Sequence, residues 1–284
     1  MPPEDFSDAA LVVLGHGSTK NEDSSAPVHQ HAAELRRRKI FAEVREAFWK
    51  QEPQIKTVLA VLSNEHVFIV PLFISEGHFS SDLIPHALGF LPGQSTLTNQ
   101  RSTWFYCQPV GTHDKMTAII LARAQEVASQ FPFPRAPKPH DTTLFIAGHG
   151  TPKNENSRKA IDHQVELIRA TKEYAEVHAL FLEEEPRIEK CFELAQMKNI
   201  IIVPFFISDG MHTQEDIPIL LGEPERIVRE RLAAGQPTWR NPTERHDKLV
   251  WYASAVGTEP GIADIIIERV HESSRGRGDE AQTK

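Results

Sequence analysis

Two copies of the tripeptide Gly-His-Gly each follow a short apolar run in this 284-residue chain. The first copy is centred on His16 and the second on His149, and a Lys-Asn-Glu segment follows each of them. A short, continuously apolar run is typical of a strand buried on both faces, so each histidine is predicted where a strand ends and the chain turns. An imidazole at such a turn can bind a transition metal or accept a proton.

A second polar cluster follows the third predicted strand of each half of the chain. Its members share one pattern, an acid followed by a histidine and, four residues after the histidine, an aspartate. They are Glu76, His78 and Asp82 in the first half, and Asp209, His212 and Asp216 in the second. If a helix begins near the histidine, this spacing puts histidine and aspartate on one face, where the carboxylate can fix the imidazole tautomer. Loop acids and helix-start acids without any catalytic role are the alternative interpretation of the four carboxylates.

Two imidazoles from the ends of two strands, with a carboxylate nearby, suit a divalent first-row ion such as Co²⁺, Fe²⁺ or Ni²⁺. The only cysteines, Cys107 and Cys191, form no CxxC motif or thiolate cluster. A site without thiolates holds its ion less tightly, which fits a site that passes its metal on. The metal is therefore expected as a substrate, and no prosthetic group is predicted.

The two sets of clusters belong to one internal repeat. His16 and His149 are 133 positions apart, and the same offset relates residues 69–71 to 202–204. The offset later grows to 146, so the second half carries 13 extra residues, expected within 222–247. We predict two similar domains, 1–130 and 142–284, joined by the proline-rich linker 131–141.

Apolar runs alternate with helical patterns, which predicts an α/β fold in which each half is a four-stranded parallel sheet flanked by helices. The predicted strands are 9–15, 42–49, 66–74 and 103–109, then 142–148, 175–182, 199–207 and 249–255. Their carboxyl ends share one edge of each sheet, where open α/β folds bind ligands. The last predicted helix is 258–273, and the polar tail 272–284 is expected to be disordered.

Composition narrows the class of protein. A net charge of −8 argues against a general nucleic-acid binder. No apolar run approaches the roughly 20 residues of a membrane span, and the acidic start MPPEDFSDAA lacks the features of a signal peptide. With only two cysteines and no disulfide framework, we expect a cytoplasmic globular protein that binds neither nucleic acid nor membrane.

Together these motifs resemble the class II tetrapyrrole metal chelatases, most closely the CbiX-type sirohydrochlorin cobalt- or ferrochelatases. The second half reads GHGT at 148–151, VPFFIS at 203–208 and GMHTQEDIP at 210–218; the first reads GHGS at 15–18, VPLFIS at 70–75 and GHFSSDLIP at 77–85. The resemblance implies two similar α/β domains that face each other across a tetrapyrrole-binding cleft. It also implies metal binding by four histidines, which are His16, His78, His149 and His212.

The implied activity is insertion of Co²⁺ or Fe²⁺ into a tetrapyrrole such as sirohydrochlorin, in cobalamin or siroheme biosynthesis. A histidine or an acid (Glu76, Asp209) would accept the pyrrole protons. Helix N-termini with basic residues would hold the peripheral carboxylates of the substrate; the basic residues are Lys20, Lys153 and Arg158. Long forms of the family look like fused half-length homodimers, so a monomer (a pseudo-dimer) is expected.

Two other functions are open to this sequence. A relative that only binds metal or tetrapyrrole, for storage or delivery, would carry the same histidines. A histidine phosphatase also has a histidine after its first strand, but its chemistry needs an arginine directly before that histidine. Gly15 and Gly148 occupy that place here.

Overall fold

The computed structural model describes residues 5–18, 22–151 and 155–280 and contains two sheets of five strands with the same topology. The strands of the first sheet are β1 (Ala10–Gly15), β2 (Glu43–Phe48), β3 (His66–Pro71), β4 (Thr96–Thr98) and β5 (Thr103–Tyr106). Those of the second are β6 (Thr142–Gly148), β7 (Glu176–Phe181), β8 (Asn199–Pro204), β9 (Thr243–Arg245) and β10 (Lys248–Tyr252). The strand orders are β2-β1-β3-β5-β4 and β7-β6-β8-β10-β9.

The predicted α/β class with two similar sheets is confirmed, and the four predicted strands of each sheet pair in parallel. Each sheet gains a three-residue edge strand, β4 or β9, that pairs antiparallel with the next strand. In the second sheet the hairpin turns through His246 and Asp247, whose φ angles of 50° and 59° suit a tight two-residue turn. Strands this short leave no alternating pattern in the sequence to predict them.

The helices lie between the strands in the expected order. In the first repeat they are α1 (Ala26–Arg38), α2 (Ile55–Val61), α3 (Ile84–Ala87) and α4 (Met116–Gln130). In the second they are α5 (Asn156–Thr171), α6 (Cys191–Leu194), α7 (Ile217–Leu220), α8 (Glu225–Ala233) and α9 (Ile262–Glu280). A π-helical turn precedes α3 and another precedes α7, at His78–Leu83 and His212–Asp216. No helix in the described ranges is both long enough and apolar enough to cross a membrane.

Two helical segments add to the sequence prediction. Helix α8 lies within 222–247, the range where the 13 extra residues are expected. Helix α9 spans Ile262–Glu280 and so extends past the predicted helix end at residue 273. Ser274 is buried and its hydroxyl donates to the His271 carbonyl at 2.9 Å, which extends the packed part of this helix beyond its predicted end.

The central strands position the histidine turns because they are buried from end to end. All residues of β1 and of β6 are buried, as expected for parallel strands covered by helices on both faces. β1 lies between β2 and β3, and β6 between β7 and β8. The turn that follows each central strand is therefore anchored by a fully packed strand.

The chain forms two compact units that differ from the predicted halves. The first unit contains the described residues up to His113 together with those from Pro260 onward, and the second is Asp114–Glu259. Helix α4 of the first repeat thus belongs to the second unit, and helix α9 of the second repeat belongs to the first. We call α4 and α9 the exchanged helices.

One buried arginine fastens each exchanged helix. Arg123 of α4 donates to the Ala255 carbonyl at 3.1 Å and to the Thr258 hydroxyl at 2.7 Å. Arg269 of α9 donates to the Pro109 carbonyl and, at 2.7 Å, to the hydroxyl of Thr112. The two arginines are 146 positions apart, so this fastening is itself duplicated.

Candidate functional site

Each Gly-His-Gly turn presents one ring nitrogen of its histidine. The second glycine has a positive φ, +71° at Gly17 and +61° at Gly150, which glycine adopts without strain. The carbonyl of that glycine lies 2.9 Å from Nδ1 of His16 and 2.7 Å from Nδ1 of His149. Because a carbonyl only accepts, Nδ1 carries the proton, and Nε2 keeps its lone pair for a metal or a proton.

The first glycine of each turn lets a helix approach the strand end. A Cβ on Gly148 would lie 2.1 Å from the Ile161 side chain of α5, and one on Gly15 would lie 2.6 Å from Val28 of α1. In each case the neighbouring aliphatic side chain would have to move to admit a Cβ. The tripeptide thus combines close helix packing with a turn that fixes the imidazole.

The second unit brings His149 and His212 together. Their ring centroids are 4.9 Å apart, with the rings 81° from coplanar. His212 begins the π-helical turn, and its Nδ1 lies 2.6 Å from Oδ2 of Asp216. The carboxylate accepts a hydrogen bond from the Nδ1–H group. Nε2 of His212 therefore also keeps its lone pair for a metal ion.

A third side chain, that of Glu183, lies beside His149, and the sequence motifs did not indicate it. Its carboxylate is 3.9 Å from Nε2 of His149, and its backbone N–H donates to the His149 carbonyl at 3.0 Å. These side chains line a cavity of about 310 Å³; the full lining is His149, Leu182, Glu183, His212, Asp216, Ile219 and Leu220. We call His149, Glu183, His212 and Asp216 the second-unit site.

Nitrogen and oxygen donors facing one cavity are the ligand types that first-row ions accept. In the described ranges, no three His, Cys, Asp or Glu side chains are already grouped to hold an ion jointly. At 3.9 Å from the His149 nitrogen, the Glu183 carboxylate would join the two histidines through a change of rotamer.

The first unit has a different arrangement at the same place. The ring of His16 faces Phe79, with centroids 4.9 Å apart and the rings 88° from coplanar. At the repeat offset of 133, Phe79 is the counterpart of His212, and His78 is the counterpart of the exposed Met211. The structure therefore does not pair His16 with His78.

His78 and its predicted partner lie outside this arrangement. The side chain of His78 is 73% exposed and that of Asp82 is 74% exposed. Nδ1 of His78 lies 3.7 Å from the Asp82 carboxylate, beyond hydrogen-bonding distance. Of the two predicted pairs at four-residue spacing, only His212 and Asp216 make the hydrogen bond.

Lys50 occupies the first-unit position that corresponds to Glu183. Its N–H donates to the His16 carbonyl at 2.9 Å, and its Nζ lies 5.2 Å from the Phe79 ring centroid. We call His16, Lys50 and Phe79 the first-unit site. Burial lowers the pKa of His16 below 6.5; the Gly17 carbonyl opposes this shift, and the Lys50 charge adds to it.

The predicted acids that follow the third strands are not part of these sites. Asp209 accepts a hydrogen bond from the Ala255 backbone N–H at 3.0 Å and does not line the second-unit cavity. Glu76 lines a separate cavity of about 240 Å³ together with Ser80 and Tyr106. Proton transfer by Glu76 or Asp209 stays a prediction, because neither carboxylate is described in contact with a site histidine.

The predicted carboxylate-binding residues have different outcomes. The guanidinium of Arg158 is paired with Asp162 at 3.3 Å and Glu184 at 3.2 Å, and it also donates to a backbone carbonyl. It is therefore already neutralised by its own neighbours. Lys20 and Lys153 lie outside the described residues.

Comparison with known proteins identifies the family. The CbiX family profile matches residues 10–127 and again 143–273. A probable sirohydrochlorin cobaltochelatase from Halobacterium salinarum is 40% identical over 95% of this chain and 93% of that protein. A sirohydrochlorin cobaltochelatase from Methanopyrus kandleri is 28% identical over 46% of this chain and 95% of its own length, so it corresponds to one repeat.

A solved structure shares the fold. It is a multi-domain protein from Deinococcus radiodurans, described as structurally similar to chelatases, with a TM-score of 0.75 and 24% identity. The similarity covers 93% of this chain but 55% of the larger protein. The resemblance found in the sequence motifs is thereby confirmed over both repeats, and this chain belongs to the CbiX family.

Proposed function

We propose that this chain inserts a divalent metal ion, Co²⁺ or Fe²⁺, into sirohydrochlorin, and that the second-unit site handles the ion. The observation that best supports this proposal is the contact between His149 and His212. In each histidine Nδ1 donates a hydrogen bond, and Nε2 keeps its lone pair for a metal ion. Family membership and the cobaltochelatase name of the Halobacterium salinarum relative support the reaction. The ion is a substrate, and the tetrapyrrole is the other.

Metal insertion requires the ion to lose water and two pyrrole N–H protons to leave. Nε2 of His149 and of His212 would replace part of the hydration shell, because neutral imidazole binds first-row ions without the tight hold of a thiolate. Asp216 keeps His212 in the tautomer that exposes Nε2. The Glu183 carboxylate lies 3.9 Å from Nε2 of His149 and would accept a pyrrole proton or add an oxygen ligand.

The setting of this reaction is also a proposal. Cys107 and Cys191 are free and buried, and burial raises the pKa of each thiol to about 12. Thiols that stay protonated and buried suit a reducing cytoplasm, where no disulfide is needed. We further propose a monomer, since one chain already contains both repeats.

Anaerobic absorption spectroscopy tests the function. Purified protein is mixed with sirohydrochlorin and Co²⁺, Fe²⁺ or Ni²⁺ in turn, and the spectrum of the metallated ring is followed over time. We expect His212→Ala to slow insertion by more than the roughly tenfold lower bound seen for outer partners of metal ligands. His78→Ala is the matched control and should keep the wild-type rate.

The alternative of storage or delivery gives a different result. Such a protein would bind Co²⁺ and sirohydrochlorin without accelerating the spectral change above the rate without protein. That outcome would contradict a chelatase and leave a binding protein.

A further inference from the structure

The first-unit site keeps the histidine turn but changes both of its neighbours. Phe79 stands where His212 supplies a nitrogen ligand, and Lys50 stands where Glu183 supplies a carboxylate. An ammonium group at this position repels a divalent cation, and a phenyl ring offers it no donor. The chemistry of this place therefore favours an anion over a metal ion.

The backbone of Lys50 is anchored beside His16, and its side chain extends over an aromatic ring. Its backbone N–H is bonded to the His16 carbonyl, and its ammonium group lies over the face of Phe79 at 5.2 Å. The side chain is exposed, and no carboxylate among the side chains that the structure describes forms an ion pair with it. A solvent-facing cation beside an aromatic ring suits a ligand with both an anionic and an apolar part.

The backbone places this cation at the ligand-binding edge of its sheet. Lys50 follows the carboxyl end of β2, and His16 follows that of β1. In parallel α/β sheets this edge is where ligands bind. The corresponding edge of the other sheet carries the second-unit site.

We propose that the first-unit site binds a peripheral carboxylate of the tetrapyrrole through Lys50, with Phe79 packing against the adjacent apolar part of the ring. The identity of the ligand rests on the proposed function. The site takes no metal, so one chain binds one divalent ion.

Binding measurements on the full-length protein test this proposal. Metal-free sirohydrochlorin is titrated anaerobically by fluorescence, and Co²⁺ is titrated separately by calorimetry. Lys50→Ala should weaken sirohydrochlorin binding about fivefold, the effect of losing a favourable exposed ion pair. Lys50→Arg should restore binding, and the salt dependence of binding should be shallower in Lys50→Ala. The Kd for Co²⁺ should stay at its wild-type value in both variants.

Lys56→Ala is the matched control, because Lys56 is an exposed lysine of the same unit, on α2. The proposal is overturned if Lys50→Ala binds sirohydrochlorin with the wild-type Kd, or if Lys56→Ala weakens it equally. A calorimetric stoichiometry of two Co²⁺ ions per wild-type chain would also overturn it, since it would make the first-unit site a metal site. A wild-type protein that binds both ligands but does not join them would refute the proposed function alone.

Discussion

The two units share a backbone and differ in side chains at the place where metal handling is proposed. In both, the residue two positions after the second strand donates its N–H to the carbonyl of the turn histidine, Lys50 to His16 and Glu183 to His149. In one unit that residue is a cation, and in the other it is an acid. The two repeats thus share a scaffold, and the different ligands that we propose for them follow from two side chains.

The difference is one of side chains because the π-helical turn keeps its register. The Gly77 N–H donates to the Ser80 hydroxyl at 3.0 Å, and the Gly210 N–H donates to the Thr213 hydroxyl at 2.9 Å. Both pairs are related by the repeat offset of 133. With the backbone fixed in this way, a histidine one position earlier in the turn, His78, is exposed instead of facing the turn histidine.

Removing the turn histidine of each unit should give the largest contrast. We expect His149→Ala to reduce the rate of Co²⁺ insertion by more than the roughly 100-fold upper value for outer partners of ligands, because a metal donor itself is lost. His16→Ala should reduce it far less, since we propose no metal ion in its unit. Equal losses in the two variants, measured by anaerobic absorption, would remove the distinction between the units.

The aspartates give a smaller contrast of the same kind. Asp216→Asn removes the carboxylate that fixes the His212 tautomer and should weaken Co²⁺ binding about tenfold. Asp82→Asn should leave the Kd unchanged, because Asp82 makes no hydrogen bond to His78. Calorimetry on both variants measures this, and a tenfold effect of Asp82→Asn would assign a metal-binding role to His78.

A double substitution should make the first unit resemble the second. Lys50→Glu with Phe79→His restores the acid and the second imidazole beside His16, and we expect a second, weaker Co²⁺ site. Lys50→Glu alone is the control and should not bind a second ion, because one imidazole and an exposed acid give too few donors. Calorimetry gives the number of Co²⁺ ions bound per chain. A number unchanged from wild type in the double variant would mean that further residues cause the difference in metal binding between the two sites.

The smallest effect concerns protonation of His16. Burial, with help from Lys50, lowers its pKa below 6.5, so the unfolded chain binds more protons than the folded one in the interval between the two pKa values. Stability from this group is present above about pH 6.5 and is lost as pH falls through the folded pKa. An NMR titration should show the lowered value in wild type and a higher one in Lys50→Glu; identical values would exclude an electrostatic contribution from Lys50.

Sequence alone predicted the repeat, the α/β class, and the pairing of His149 with His212. It grouped His78 with His212 although the two are displaced by one position between the repeats, and it did not identify Phe79 as the counterpart of His212. The same offset pairs Glu183 with Lys50, so a strict alignment of the repeats would have found both differences.

Other features left no signal in the sequence. The edge strands β4 and β9 are too short to show a pattern. The exchange of helices depends on which sheet a helix covers, and periodicity reports only that one face is buried.

That exchange links the two ends of the chain in time as well as in space. The first sheet is synthesised early, but the helix that covers part of it, α9, leaves the ribosome only after the whole second sheet. One part of the first sheet therefore stays uncovered while about 150 further residues are synthesised. At typical rates of about 5–20 residues per second, this interval is roughly 8–30 s. A stop codon just before Pro260 would accordingly damage the sheet at the opposite end of the sequence and spare the second-unit site.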